Sequence, residues 1–396
     1  MKYVYCVVVG DIIHSRKMDD ENRRDELRKE MESIFENINI SYMGDILSEF
    51  GIVRGDAFEG ILYSAAIAID VVQEIIADFW THGMNVRISV VVDRLTTFHL
   101  DRNKSDGPAF HIATEEIDQL KKENMNHWLQ IRYANSQKDM SVVNALSQMM
   151  GALSKNWTEK QKCIAFAMRK LDNKQNAVAQ LLDVSASVVN RQIKSIDYDS
   201  YRYAWETIRS VFDKMEDGEA LKEETQNFVE KYARGRKLVK KKYLEEAACY
   251  FEDAYEDSVA SFGELDIRTL PFLNGFIECS ILQREKFKDH YNDVRNRDAI
   301  LAMHEKTVSR IKKMAELDKK TEKSLEHVRS KLLMGDWYKQ REEYGVAELK
   351  YYDARNYLLQ FYDNNHSLET EINKKLMDIS NYKSEKKGQQ GGNNDI

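Results

Sequence analysis

The sequence predicts an α+β domain over residues 1–136, followed by an all-α region that continues almost to the end of the chain. Apolar, β-branched runs of strand length occur only in the first region. Beyond it, apolar residues recur at helical spacing. The 396 residues include only two prolines and 17 glycines, so few residues interrupt the predicted helices.

The elements of the first domain are predicted in the order β-α-β-β-α-β-α-β. The turn Arg54–Gly55–Asp56 joins two of the strands in a tight hairpin, and Pro108 suits the first turn of a helix. The strands are predicted at 3–9, 47–53, 57–63, 86–92 and 127–133, and the helices at 18–38, 64–80 and 108–122. This order describes one sheet covered by helices.

Charge and cysteine content exclude several classes of protein. The net charge of −7 argues against a surface that is basic throughout, although a local basic patch remains compatible with it. The four cysteines form no CxxC pair, which argues against a zinc ribbon and a disulfide framework and indicates a cytoplasmic protein. No apolar run approaches the roughly 20 residues that cross a bilayer, so we expect no membrane insertion.

Three further segments follow the first domain. We predict a helix-turn-helix domain over 137–215 and a helical region over 216–382. The tail at 383–396 is poor in apolar residues and rich in Gly, Gln and Asn. Such a composition predicts disorder.

Two segments of the predicted helical region share one spacing of small and aromatic residues. The first is Gly235, Ala247, Phe251 and Ala254, and the second, 100 residues later, is Gly335, Ala347, Tyr351 and Ala354. This spacing resembles the tetratricopeptide repeat, in which small residues let two antiparallel helices approach and the aromatic ring fills the gap. We expect a repeat-like region that binds a protein partner or self-associates. An ordinary helical bundle is the alternative.

Two aspartates in the first domain suggest a metal site. Asp11 ends the first strand and Asp56 lies in the hairpin turn, so a central position for both strands would bring the carboxylates together. Two such carboxylates repel each other unless a cation lies between them, and their oxygens suit Mg²⁺ or Mn²⁺. Gly10 and Gly55 would leave room for a ligand. Alternatively, Asp11 caps the next helix and Asp56 only forms the turn.

The segment after Asp11 suggests a phosphate site. A turn that leads into a helix offers backbone amides and the positive end of the helix dipole to an anion, and an arginine there strengthens phosphate binding. The predicted binding residues are Ile12, Ser15, Arg16, Lys17 and, from the hairpin, Arg54. The expected ligands are Mg²⁺ or Mn²⁺ together with a nucleoside triphosphate or a related phosphate compound.

The Asp-Ile at the end of the first strand, the Gly-Asp hairpin and the helix that opens on Gly107 resemble the palm domain of class III nucleotide cyclases. GGDEF-type cyclases share the R-x-G-D hairpin. The resemblance implies a ferredoxin-like palm fold in which the two aspartates hold two metal ions for phosphoryl transfer. Where active cyclases carry Asn and Arg on that helix, this sequence has His111 and Glu115. An acidic residue at that position repels the negative charge that develops in the transition state, which argues against cyclase activity.

A closer resemblance, over roughly residues 3–210, is to the SatD family. It rests on the segments G-D-I-I-H-S-R at 10–16, G-D-A-F-E-G at 55–60 and D-G-P-A-F at 106–110. This resemblance implies a bacterial protein, and the family is linked to acid tolerance, which is a phenotype without a stated mechanism.

Residues 174–194 have the pattern of a helix-turn-helix. Ala179 is small enough for a helix crossing, Asp183 tolerates the left-handed turn, and Ser185 is a natural N-cap. Val189 and Ile193 share one face of the second helix. The sequence therefore predicts two short helices joined by a tight turn.

The second of these helices would turn polar residues outward. Ser187, Asn190, Arg191 and Lys194 are the predicted DNA-binding residues. Residues 154–210 contain ten Lys and Arg against six Asp and Glu, a local excess of positive charge in an acidic chain. The same fold also serves protein interaction, so DNA binding is a separate prediction.

Three functional hypotheses follow from these patterns. The leading one is a cytoplasmic regulator that binds a nucleotide or phosphate ligand with Mg²⁺ through the palm-like domain and DNA through the helix-turn-helix. The first alternative is a divergent nucleotidyl cyclase or another phosphoryl-transfer enzyme. The second is a protein-interaction scaffold with a vestigial palm pocket.

Overall fold

The computed structural model describes residues 4–13, 21–97, 105–123, 129–133, 140–220, 228–264, 266–286, 306–317, 324–360 and 367–391. The chain forms two compact units, Met1–Val229 and Glu230–Ile396. The first unit is α+β and the second consists of helices. The boundary predicted between residues 136 and 137 falls inside the first unit.

The first unit begins with the predicted order of strands and helices. These elements are β1 (Val4–Ile12), α1 (Glu21–Ser41), β2 (Ile46–Arg54), β3 (Ala57–Leu62), α2 (Ala65–Thr81), β4 (Val86–Arg94), α3 (Pro108–Glu123) and β5 (Leu129–Tyr133). The order and type of all eight elements agree with the prediction, because each has its own apolar period and turn residues.

The five strands form one mixed sheet with the order β2-β3-β1-β4-β5. β1 is central and runs antiparallel to both β3 and β4, whereas β4 and β5 are parallel. In the register of β1, Gly10 lies opposite Phe58 of β3 and Asp11 lies opposite Arg87 of β4. The end of β1 is therefore beside the β2–β3 hairpin, where Asp56 lies.

Helices cover both faces of this sheet. Residues of β1 point alternately to opposite faces, so Cys6, Val8 and Ile12 join the core formed with α1 and α2. Val7 and Val9 are buried on the other face, where α3 packs against β1 and β4. Because helices cover both faces of the sheet, β1 is buried on both sides, and its sequence is therefore an almost continuous apolar run.

Five further helices and the start of a sixth complete the first unit. They are α4 (Ser141–Ser154), α5 (Glu159–Lys170), α6 (Gln175–Leu181), α7 (Ala186–Ser195) and α8 (Tyr198–Ala220), with the first residues of α9 (Phe228–Lys240). α4 packs beside β5 and α8, while α5 and α8 pack on α2.

α2 is apolar on nearly every side because it lies between the sheet and the helices that follow it. On the sheet side the ring of Phe79 lies 5.8 Å from that of Phe58. On the other side Trp80 lies 5.7 Å from Trp157 and 6.0 Å from Tyr201. One apolar core therefore extends from β1 to α8.

The last turn of α2 contains an acid whose ionisation opposes folding. Burial raises the pKa of Asp78 to about 6, and the carboxylate also lies at the negative end of the helix dipole. The pKa of Asp78 is higher in the folded protein than in the unfolded chain. The neutral carboxyl therefore contributes its full stability below about pH 4. It is lost as the pH rises through about 6.

We therefore expect Asp78→Asn to raise the free energy of unfolding by about 1–2 kcal/mol at pH 8. At pH 3.5 the variant and the wild type should be equally stable, since both carry a neutral group. Urea unfolding at the two pH values measures this difference. A gain of equal size at both pH values would contradict the role of ionisation.

The second unit contains two helical hairpins of the same construction. Its elements are the remainder of α9, α10 (Leu244–Phe262), a 3₁₀ turn (Ile267–Thr269), α11 (Leu270–Lys286), α12 (306–317), α13 (Leu325–Gln340), α14 (Tyr344–Leu358) and α15 (Ser367–Gly391). The turns after α9 and α13 contain left-handed residues, Lys242 (φ 65°) and Glu342 (φ 62°). The hairpins α9–α10 and α13–α14 thus repeat one turn geometry.

The small and aromatic residues singled out in the sequence lie in the contacts within these hairpins. An added Cβ at Gly235 would lie 2.7 Å from Cε1 of Phe251, and one at Gly335 would lie 2.6 Å from Cδ1 of Tyr351. Both rings are fully buried, and so are the alanines at 247, 254, 347 and 354. The tetratricopeptide assignment itself remains a prediction.

The last helix reaches into the segment predicted to be disordered. α15 ends at Gly391, and 392–396 lie outside the described residues. Lys, Glu and Gln favour helix once a preceding turn has formed, which explains why α15 continues despite the low apolar content. Within the described ranges, we find no helix long and apolar enough to cross a bilayer.

Candidate functional site

Asp11, the first predicted metal ligand, is buried in a cluster of charges. It is only 4% exposed. The Nη1 atom of Arg87 donates to Oδ1 at 3.0 Å and to Oδ2 at 3.1 Å, and the Nζ atom of Lys121 on α3 lies 2.9 Å from Oδ2. Burial raises the pKa of Asp11, and the two cations and the lysine hydrogen bond offset only part of this effect.

The other predicted residues of this site lie at the same end of the sheet. Asp56 is close enough to Asp11 for its charge to raise the pKa of that carboxyl. Arg54 is exposed in the hairpin, and Ile12 is buried in the core. Ser15, Arg16 and Lys17 lie outside the described residues.

Side-chain cations bind the carboxylate of Asp11 in this arrangement. Both carboxylate oxygens already bind side-chain cations, and the described part of the chain contains no cluster of three or more His, Cys, Asp or Glu residues suited to a metal. The space above Gly10 is also filled, because an added Cβ would lie 2.8 Å from Phe58 Cε1 and from the backbone oxygen of Arg87. Gly10 makes room for packing, not for a ligand.

A second group of predicted residues lies on α7. The turn before this helix contains Asp183 at φ 50°, as predicted, and the amide of Val184 donates to the carbonyl of Ala179 at 3.0 Å. Ser185 is the N-cap, and its hydroxyl accepts from the amide of Val188 at 3.3 Å. Local hydrogen bonds thus determine where α7 begins.

The opposite faces of α7 have different surroundings. Val189 and Ile193 are buried, and α7 packs against α5, α6 and α8. The predicted contact residues Ser187, Asn190, Arg191 and Lys194 are all exposed. The helix therefore presents a hydrogen-bonding and positively charged face.

α5 is attached to α7 by its first turn. Thr158 and Gln161 form a capping box at the start of α5. The Nε2 atom of Gln161 also donates to Gln192 Oε1 and Ser195 Oγ of α7, each at 3.2 Å. The exposed Lys160 beside Gln161 is thus near the end of α7.

Among the described residues, ion pairs neutralise most of the positive charge of this region but not that of α7. Arg169 pairs with Glu74, and Arg209 pairs with Asp70 and Asp213. Lys162, Lys170, Lys174 and Arg202 also have acidic partners. Within the described residues, no ion pair is found for Lys155, Lys160, Arg191 and Lys194. The unneutralised charge is therefore concentrated on α7 and the approach to α5.

The sequence reasoning missed Arg87, Lys121, Lys155 and Lys160. Arg87 could have been noticed, because it is the single charged residue of the apolar run 86–92. Lys121 carries no such signal, since α3 also contains Lys122 and only the packing of α3 selects one of them. Lys155 and Lys160 are recognisable only after the ion pairs of their neighbours are known.

These features define a class of protein: a five-stranded α+β sheet whose core continues into a helical segment with exposed cations, followed by a second, helical unit. The chain belongs to the SatD family, whose family model matches residues 5–208. The match extends from β1 into α8, so both candidate sites lie inside it. A search of curated proteins found no relative that matches.

Proposed function

We propose that this SatD family protein binds duplex DNA, with α6 and α7 as the helix-turn-helix and α7 as the recognition helix. The observation that supports this most directly is the free positive charge at Arg191 and Lys194, which are exposed on a helix whose other face is buried. Phosphates attract such unpaired cations, and Ser187 and Asn190 add groups that hydrogen-bond to base edges.

The rigid attachment of α7 also supports this proposal. A recognition helix must be held at one angle to enter the major groove. α7 is fixed to α5 through Gln161, and α5 is fixed to α2 through the Arg169–Glu74 pair at 3.1 Å. The helix that meets the DNA is thereby connected to the sheet.

Fluorescence anisotropy with duplex fragments from upstream of the protein's own gene, at about 50 mM salt, tests the proposal. We expect the double variant Arg191→Ala/Lys194→Ala to bind at least about tenfold more weakly. Its plot of log affinity against log salt should be flatter by about 2, because two phosphate contacts are lost.

Arg202→Ala is the matched control, since it removes a nearby positive charge that already pairs with Glu206. It should leave the affinity within about twofold of the wild type. The proposal fails if the wild type binds no fragment at low salt, or if the double variant binds as well as the control.

The magnesium and nucleotide ligands predicted for Asp11, Asp56, Ile12 and Arg54 remain a separate proposal. The nearness of Asp56 to Asp11 favours it, whereas the pairing of Asp11 with Arg87 and Lys121 does not. Calorimetry with each nucleoside triphosphate and Mg²⁺ distinguishes the cases. A saturating heat lost in Asp56→Ala would mean a nucleotide sensor, and a sustained heat lost in it would mean the phosphoryl-transfer enzyme.

The helical region is proposed to bind a protein partner or to self-associate. Val346, Leu349 and Tyr352 are exposed at spacings of three residues on α14, which is an apolar stripe of the kind that partner helices cover. The scaffold alternative predicts that Asp11→Ala and Asp56→Ala leave the cellular activity unchanged, while changes at Phe251 or Tyr351 abolish it.

A further inference from the structure

α4 has an exposed apolar face that neither the sheet nor the proposed DNA site uses. Its 14 residues include no charged side chain, in a chain in which 32% of residues are charged. Val142 and Met149 are 67% and 69% exposed, and Ala145 and Ala152 are exposed as well. These four positions follow the a and d spacing of a heptad, so they form one seam along the helix.

The opposite face of α4 holds the helix in place. The side-chain amide of Asn144 pairs with both the amide and the carbonyl of Ile131, each at 2.9 Å. Ser147 donates to the carbonyl of Leu129 at 2.6 Å, and Val143 and Met150 are buried. α4 thus covers the edge strand β5 and points its apolar seam away from it.

We propose that this seam pairs with the same seam of a second copy of the chain, antiparallel and about a two-fold axis. In that arrangement Val142 meets Ala152 of the other copy, and Ala145 meets Met149. Each large side chain then lies against a small one, which is how facing helices fill space. A surface complementary to itself in this way is what a two-fold interface requires.

The absence of charge on α4 permits a second copy as the occupant. Two chains of charge −7 repel each other, so a contact between them is least costly where neither surface carries charge. α4 is such a surface. The half-buried Leu146 and Leu153 flank the seam and widen its apolar area.

The proposed dimer extends the proposed DNA-binding function, and the role of the dimer rests on that function. Helix-turn-helix proteins commonly bind as dimers, with one recognition helix in each of two half-sites. α4 directly precedes α5 in the chain, and so pairing through α4 would bring two copies of α7 into one assembly. The protein is then expected to prefer a DNA site with two-fold symmetry.

The area that the seam can bury limits the affinity of the dimer. A helix of this length extends about 21 Å, and one such pair buries less than the roughly 800 Å² per partner of a stable interface. We therefore expect a reversible dimer with a dissociation constant in the micromolar range, which is strengthened when DNA holds both copies.

Sedimentation velocity of the full chain without DNA, over about 1–100 μM, tests the pairing. The wild type should change from monomer to dimer, and Met149→Glu should remain a monomer because it places a charge opposite Ala145. Tyr203→Glu is the matched control: Tyr203 on α8 is 70% exposed and lies outside the seam, so this variant should dimerise like the wild type. A wild type that stays monomeric, or a Met149→Glu variant that still dimerises, overturns the proposal.

Cysteine cross-linking tests the direction of pairing. In a background with Cys163→Ser and Cys249→Ser, a mixture of Val142→Cys chains with Ala152→Cys chains should form a mixed disulfide. Val142→Cys alone should not cross-link, because ten residues of helix separate the two copies of this position by about 15 Å along the axis. Cross-linking of Val142→Cys alone at the rate of the mixture would contradict the antiparallel arrangement.

The two proposals can fail separately. Sedimentation without DNA reports only on the seam, and binding by Arg191→Ala/Lys194→Ala reports only on α7. If both hold, Met149→Glu should bind a two-fold symmetric DNA site at least about tenfold more weakly than the wild type, while Tyr203→Glu should bind it normally. An unchanged affinity of Met149→Glu would separate the dimer from DNA binding and overturn its proposed role.

Discussion

Replacing Gly335 with alanine is expected to lower the free energy of unfolding of the second unit by about 2 kcal/mol. The new Cβ would lie 2.6 Å from Cδ1 and 2.9 Å from Cζ of Tyr351. That ring is fully buried, and its hydroxyl donates to Asp336 at 2.7 Å, while Lys375 donates to the same carboxylate. The ring cannot move aside without breaking these bonds, so the steric cost exceeds the gain in helix propensity.

Gly345→Ala is the control for this prediction. Gly345 also lies in a helix, but an added Cβ there meets nothing within 4 Å. It should leave stability unchanged or raise it by a few tenths of a kcal/mol. Hydrogen exchange of peptides from α13 and α14 measures the local effect. Equal exchange in the two variants would show that Gly335 is not a packing position.

The second large effect is expected at Asp11. Asp11→Ala should lower the free energy of unfolding of the first unit by about 2 kcal/mol, because it leaves the mostly buried Arg87 without its carboxylate. The side chain of Arg87 is only 16% exposed, whereas that of Lys121 is 43% exposed and can turn to water. The loss therefore arises mainly from Arg87.

Asp56→Ala and added Mg²⁺ separate the two roles considered for Asp11. If Asp11 serves to hold Arg87 and Lys121, Asp56→Ala should change stability by less than about 0.5 kcal/mol, and millimolar Mg²⁺ should not raise the unfolding temperature of the wild type. Thermal unfolding with and without Mg²⁺ gives both answers. A rise with Mg²⁺ that disappears in Asp56→Ala would establish the metal site instead.

Much of the candidate DNA interface could be predicted because its signals are local. The start of α7 depends on the hydroxyl of Ser185 and an amide three residues later, and the turn depends on Asp183 tolerating φ 50°. Neither requires knowledge of distant parts of the chain. The same holds for the hairpins, where the spacing of Gly335 and Tyr351 within about 16 residues predicts their contact.

The electrostatics of the site could not be predicted in the same way. Arg87 reaches Asp11 across 76 residues of sequence, and Glu74 and Asp70, which pair with Arg169 and Arg209, lie on α2. Counting charges over 154–210 gives the positive sign of the local net charge. It cannot say which of the cations lack an acidic partner among the described residues. That distinction decides which residues are available to a phosphate.

The sequence by itself determined the order of strands and helices in the first domain, the N-cap and turn before α7, and the family. Each of these depends on residues close together in the chain, whose backbone preferences and apolar periods act over a few residues. Only the tertiary structure decided that Phe58 fills the space above Gly10, that Arg87 and Lys121 hold Asp11, and that α4 exposes its apolar seam. These depend on which surfaces meet after folding, and burial and charge pairing between distant segments are properties of the packed molecule.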